Sequence, residues 1–199
     1  MALSTGPQGI HRSPLRHALL LIACLAAALP LKAEEIWRID SPPSAGRFRV
    51  RLLAMLSITG RFDRVEGKVA IDRADGTARV EATIDATSVK LRTERQTNWA
   101  RSPEFFDSEH HPGIRFVSQR LPLNRLATGG VLEGRLELRG IAREVRFQIE
   151  PSECGRVEAT PCEVEVEGAI RRSDFGMKTR RGALSDRVAL EFSIVAVPG

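Results

Sequence analysis

The sequence predicts an all-β, antiparallel fold, a closed barrel or a sandwich, with a single short helix. Three observations carry that expectation. Apolar residues recur with period two in at least eight separate segments, which gives each strand one dry and one wet face. Turn signals punctuate the segments at Ala74-Asp75-Gly76, Thr128-Gly129-Gly130 and Arg139-Gly140. No amphipathic stretch of period 3.6 is long enough to supply the crossover helices of a parallel sheet.

In chain order, Phe48, Val50 and Leu52 face one way and Arg47, Arg49 and Arg51 the other. Val69 and Ile71 follow, then Val80, Ala82 and Ile84 opposite Arg79, Glu81, Thr83 and Asp85. Alternation lapses over Thr93–Arg101, where a short helix is expected with Pro103 as its stop. Ile114 and Phe116 resume the pattern. Leu132, Gly134, Leu136 and Leu138 face away from Glu133, Arg135, Glu137 and Arg139. Val145, Phe147 and Ile149 come next, then Val164, Val166, Gly168 and Ile170 opposite Glu163, Glu165 and Glu167. Val188, Leu190, Phe192 and Ile194 close the chain. Glycine on the dry face, at Gly134 and Gly168, favours strands that bend into a barrel over those of a flatter sandwich.

The 199 residues are 42% hydrophobic and 28% charged. That composition belongs to one globular domain and excludes disorder and a polytopic membrane protein. The net charge of +5 includes Arg12, Arg16 and Lys32 of the first 33 residues, which hold no acid. The remainder is nearly balanced, so nucleic acid is not the expected partner. With no tyrosine in the chain, catalysis by tyrosine is excluded.

Arg12, Arg16 and His17 precede an apolar run, Ala18–Leu31, and Ala33 precedes Glu34-Glu35. This reads as a secretory signal peptide, residues 1–33, and the run falls short of the roughly 20 residues that span a bilayer. Processing at Cys24 as a lipoprotein and an uncleaved anchor are the alternatives. Residues 34–199 are then expected in the periplasm or secreted. Of the three cysteines, Cys154 and Cys162 would remain there. With Gly155 and Pro161 suiting a turn between them, an oxidising compartment predicts a disulfide, two buried thiols being the alternative.

Chemistry-bearing motifs are sparse. No nucleophile elbow, dinucleotide fingerprint, P-loop or zinc-protease helix is present. Asp107, Glu109 and His111 alternate, so in an extended segment they would point one way and could hold a divalent metal for a cell-envelope enzyme. The run Arg171–Gly182 carries Arg171, Arg172, Lys178, Arg180 and Arg181. It is expected as a solvated rim whose cations tune a ligand's head group rather than hold the fold. The dry face offers almost no polar catalyst, and a closed barrel is wide enough for its own side chains or one small ligand. A filled barrel serving only protein interactions is a further alternative.

Several segments together resemble the YceI-like family, exported lipocalin-like proteins that bind polyisoprenoids. Phe48–Val50 with Gly60-Arg61-Phe62 is similar to its F-x-V…G-x-F opening, and Ser88-Val89 with Arg101-Ser102-Pro103-Glu104-Phe105-Phe106-Asp107 to its S-V…R-S-P-D-F-F-D motif. Pro112–Ser118, Gly134–Ile141 and Arg172–Met177 resemble three further motifs, and the likeness runs from Trp37 to Ala196. The resemblance implies an eight-stranded β-barrel over 34–199 that binds and carries a long-chain isoprenoid, quinone-like or other amphiphilic lipid, with no catalysis, no cofactor and at most transient membrane-surface contact. On that reading Phe48, Val50, Leu52, Phe62, Phe116, Leu136, Leu138, Phe147 and Phe192 line the lipid tail, and Phe105, Phe106, Phe175 and Met177 gate the mouth. The chain departs from the family at Arg51-Leu52, where members often have Lys-His. It departs again at Gln96-Thr97 and Trp99, where many have Arg-Asp and His. Both departures bear on head-group preference.

Overall fold

The computed structural model describes residues 2, 34–53, 55–154, 161–180 and 182–199. The expected signal segment with Cys24 lies outside them apart from Ala2, and so does Arg181. Ala33–Gly199 forms a compact unit of its own. Its strands are β1 (Glu35–Ile39), β2 (Ala45–Leu52), β3 (Leu56–Phe62), β4 (Val65–Asp72), β5 (Thr77–Asp85), β6 (Val89–Leu91), β7 (Gly113–Ser118) and β8 (Leu121–Pro122). The second half adds β9 (Gly130–Leu138), β10 (Ile141–Ile149), β11 (Cys162–Arg171) and β12 (Leu184–Pro198). Two helices, α1 (Glu94–Arg101) and α2 (Asn124–Thr128), and 3₁₀ turns at Ala86–Ser88 and Arg172–Phe175 complete it.

Pairing runs β1-β4-β5-β7-β9-β10-β11-β12, and β12 returns to β1, so eight antiparallel strands close into a barrel. Closure depends on β12. Its 15 residues pair β11 on one edge; on the other they meet β2 up to Ser193 and then β1 from Ala196 to Pro198. Closing the ring removes the open edges that an eight-stranded sheet would expose. β3 and β6 continue beyond β2 and extend one end of the barrel.

The alternation is realised as read. In β9, Leu132, Gly134, Leu136 and Leu138 are buried and the intervening residues are not. The β9–β10 hairpin turns on Arg139 (φ 55°) and Gly140 (φ 69°), the left-handed pair that a two-residue hairpin needs. The expected helix forms as α1: Thr93 is extended, its Oγ1 accepts from the Gln96 amide at 3.2 Å, and the helix ends at Ser102 before Pro103.

The inner-face glycines have a more specific role than bending. Gly46, Gly60 and Gly168 lie directly opposite Phe192, Phe48 and Phe147 on the neighbouring strands. A Cβ on Gly168 would stand 2.3 Å from the Phe147 ring, and one on Gly134 would stand 2.6 Å from the Phe116 ring and 2.5 Å from the Val117 carbonyl oxygen. Each glycine is thus the seat of an aromatic ring that lies along the wall instead of crossing the lumen. Gly134→Ala is therefore expected to cost about 1–3 kcal/mol in denaturant unfolding, because a backbone oxygen cannot move aside as a flexible side chain would. A change within about 0.5 kcal/mol, as for a neutral surface site, would contradict this packing.

Candidate functional site

Among the described residues, the barrel interior holds a wide and a narrow chamber. The wider, of about 790 Å³, is walled by inward residues of β4, β5, β7, β9, β10, β11 and β12, among them Val69, Ala82, Phe116, Leu132, Phe147, Val164 and Ile194. Such a volume is within the range of small-molecule sites. The narrower, of about 90 Å³, lies towards β2, β3 and α1. Ile84, Ile114, Leu136 and Phe192 line both and form the neck between them.

Phenylalanines divide between the two. Phe116, Phe147 and Phe192 run along the wide chamber with ring centroids 5.5 and 5.9 Å apart. Phe48, Phe62 and Phe106 form a triangle of 5.2–5.6 Å centroid distances that closes the far end. Phe106 is held there because the loop after α1 folds back: Phe106 N–H donates to Ala100 O at 3.0 Å, and Arg139 Nη1 donates to Phe105 O at 2.8 Å. Phe105 packs on Trp99, centroid to centroid 4.2 Å, and the two rings line the narrow chamber beside Phe106.

The wide chamber reaches the surface at the end built by β1, the β4–β5 turn and α2, where Glu35, Arg73 and Asn124 are its polar lining. Arg73 Nε donates to Glu35 Oε2 at 2.6 Å and Trp37 Nε1 to Glu35 Oε1 at 2.6 Å. The Arg73 guanidinium, followed by the indole N–H, holds the Glu35 carboxyl below the usual carboxylate range. The Cys154–Cys162 disulfide lies at this same end and both cysteines line the chamber. No free thiol is expected from this pair on titration of the denatured, non-reduced chain, and reduction should lower stability by about 2–3 kcal/mol for so short a loop. Two titratable thiols would contradict it.

The residues expected to line a lipid tail divide between the two chambers. Phe116, Leu136, Phe147 and Phe192 face the wide chamber; Phe48, Val50, Phe62 and Leu138 face the narrow one, with Leu136 and Phe192 shared. Leu52 lines neither chamber and pairs with Leu56 and Leu184. Of the expected gate, Phe105, Phe106 and Met177 line the narrow chamber. Phe175, fully buried, instead borders an outer groove beside β10 and β11. The Glu35–Arg73 pair, Trp37 and the residues of α2 carried no signal beforehand, because only strand closure brings them to one rim.

Two expectations are corrected. Arg172 is not a solvated rim cation: it is 2% exposed. Its guanidinium donates to the carbonyl oxygens of Met177 (2.6 Å), Thr179 (2.8 Å), Ser185 (3.0 Å) and Leu184 (3.2 Å). The loop also stands at the narrow end, away from the Glu35–Arg73 mouth. Asp107, Glu109 and His111 do not line up, because the segment is not extended. Asp107 has φ 48°, and the amides of His110 and His111 both donate back to its carbonyl, curling the chain. Its carboxylate takes the His110 Nδ1 hydrogen bond at 2.8 Å. That bond keeps the Asp107 carboxyl below its usual range and His110 protonated to higher pH than a free histidine. The pair is strongest between those limits, weakening in acid as Asp107 protonates and in base as His110 loses its proton. Among the described residues no group of three or more His, Cys, Asp and Glu is placed to hold a metal ion.

Comparison with known proteins agrees with this architecture. UPF0312 protein ECA1782 of Pectobacterium atrosepticum is 26% identical over 189 residues, covering 92% of this chain and 94% of that protein. UPF0312 protein SAS2572 of Staphylococcus aureus is 25% identical over 142 residues, covering 69% and 80%. The crystal structure of Burkholderia cenocepacia BcnA superposes with a TM-score of 0.65 at 22% identity, over 80% of this chain and 99% of that one. A domain of Saccharophagus degradans described as polyisoprenoid-binding and implicated in plant cell wall breakdown superposes with a TM-score of 0.62 at 15% identity, over 84% and 100%. At such identities the structural likenesses speak for the fold. Membership follows from the sequence match, which covers residues 37–196 and so nearly the whole closed barrel, from β1 to the end of β12: the chain belongs to the YceI-like domain family.

Proposed function

We propose that this protein is an exported binding and carrier protein, periplasmic or secreted, for one long-chain isoprenoid, quinone-like or similar amphiphilic lipid. The observation that carries the reading is the wide chamber, about 790 Å³ with almost wholly apolar walls and a polar rim at one end only. The tail lies among Phe116, Phe147, Phe192 and their neighbours, and the head remains at Glu35, Arg73 and Asn124. A relative of the same fold described as polyisoprenoid-binding supports a prenyl ligand.

The magnitudes are adequate. At about 30 Å³ per water-sized group, the chamber holds on the order of 25 methylene-sized groups. Burying about 20 of them gains roughly 16 kcal/mol gross at about 0.8 kcal/mol each. Association costs about 4–15 kcal/mol. A longer chain must therefore protrude from the mouth or displace the Phe48–Phe62–Phe106 closure. Among the described residues lining the chamber, the one acid is Glu35, which accepts hydrogen bonds from Arg73 and Trp37, an arrangement that supports a binding role.

Titration of the delipidated protein with a prenyl alcohol in detergent tests this. Saturable uptake of one tail per chain is expected, with affinity rising with tail length until the chamber is full. Absence of saturable uptake at any tail length would overturn the carrier reading.

A further inference from the structure

We infer that Leu53, Met55 and Leu56 at the tip of the β2–β3 hairpin, together with the exposed cations Arg51, Lys178 and Arg180, dock the protein on an anionic lipid bilayer surface. This goes beyond the carrier reading and does not depend on it.

Large apolar side chains are exposed at few described positions, and the hairpin tip concentrates them: Leu53 is 63% exposed, Met55 91% and Leu56 62%. Solvated hairpin tips are ordinarily built from Gly, Asn, Asp and Ser. Here residues 52–56 read Leu-Leu-Ala-Met-Leu with no charge. An exposed apolar cluster of this kind marks a contact surface.

Its surroundings select the partner. Leu53 N–H donates to Ala183 O at 2.8 Å, and the amides of Ala183 and Leu184 donate to Arg180 O at 3.0 and 2.9 Å, so the tip is tied to the basic turn. Arg51, Lys178 and Arg180 are exposed there. Arg180 also lies over the Trp99 ring at 5.0 Å, an aromatic of the kind that settles at the membrane–water interface. Of the acids nearby, Glu104 accepts from Trp99 Nε1 at 3.2 Å, and Asp186 takes hydrogen bonds from Ser173. A narrow apolar tip ringed by cations suits shallow insertion below anionic head groups. A second copy on the same tip would set like charges against each other, and a convex tip offers little of the roughly 800 Å² per partner that a stable protein interface needs. Docking in this way puts the narrow end against the bilayer and the Glu35–Arg73 mouth away from it.

The test is flotation of the exported protein with phosphatidylcholine vesicles, with and without phosphatidylglycerol, and no prenyl lipid added. Binding to the anionic vesicles is expected, falling with salt. Met55→Ser with Leu56→Ser should weaken it by on the order of tenfold or more. Arg51→Ser with Lys178→Ser should cost roughly fivefold per cation on anionic vesicles only. All four positions are exposed, so melting should stay that of the parent. The inference is overturned if the parent does not float, if both variants bind as the parent does, or if the tip changes alter only a concentration-dependent self-association seen by ultracentrifugation. Prenyl uptake from detergent, measured on the same samples, separates the two claims. Flotation without uptake would sink the carrier reading alone, and uptake without flotation would sink the docking surface alone.

Discussion

Ala82→Trp is expected to abolish uptake of a prenyl chain while leaving the barrel folded. Ala82 lies on β5 between Val80 and Ile84, and all three line the wide chamber. It is paired with Gly67 on one side and Phe116 on the other, so an indole placed there projects into the lumen at mid-height. Overfilling a packed core costs about 1–3 kcal/mol or more. In a chamber of about 790 Å³ the ring has room, and the loss should stay below about 1 kcal/mol, as for volume that packing tolerates. Thermal melting and tail titration, run together, read both effects. Unchanged uptake, or a collapse in stability, would mean that the lumen is not the binding space.

The second large effect is on stability. Arg172→Ala removes a buried guanidinium that satisfies four backbone carbonyls at the turn into β12. Leaving such acceptors unpaired costs about 1–3 kcal/mol each where water cannot reach them. With partial relaxation a total of about 3 kcal/mol or more is expected. For a chain of this size that lowers the melting temperature by about 6–12 °C. Arg172→Lys should recover only part, because an ammonium cannot reproduce the planar fork. Arg180→Ala, at an exposed neighbour, should change melting by no more than about 2 °C, in keeping with a surface site. Equal, small effects at Arg172 and Arg180 would return the whole loop to the solvated role its composition suggests.

That contrast shows what a sequence carries and what it hides. Alternation depends on neighbours two residues apart, so the buried faces of β9 and β11 and the lumen-facing side of β12 could be read directly, and so could α1, which Thr93 and Pro103 bracket. Closure was favoured only indirectly, by Gly134 and Gly168 and by the family resemblance, because the seam itself rests on β12 switching partners from β2 to β1, a long-range pairing with no local signature. In a run of cations Arg172 looks like Arg171, and only the fold makes one buried and the other exposed. Phe105 and Phe106 are adjacent and identical in kind, yet one closes the lumen and the other packs on Trp99. The mouth was least legible. Glu35 and Arg73 are brought together across β1 and β4, and α2 is too short for its period to show. The glycine seats were visible as residues but not as seats, since each needs the ring on the strand beside it.

The central claim is that the barrel interior holds an apolar chain. Mass spectrometry of organic extracts from the purified protein tests it most directly, with the Ala82→Trp variant prepared in parallel. The account predicts a prenyl or comparably long apolar lipid, about one per parent chain and absent from the variant. An extract without lipid from a parent protein that also fails to take up added prenyl chains would contradict it.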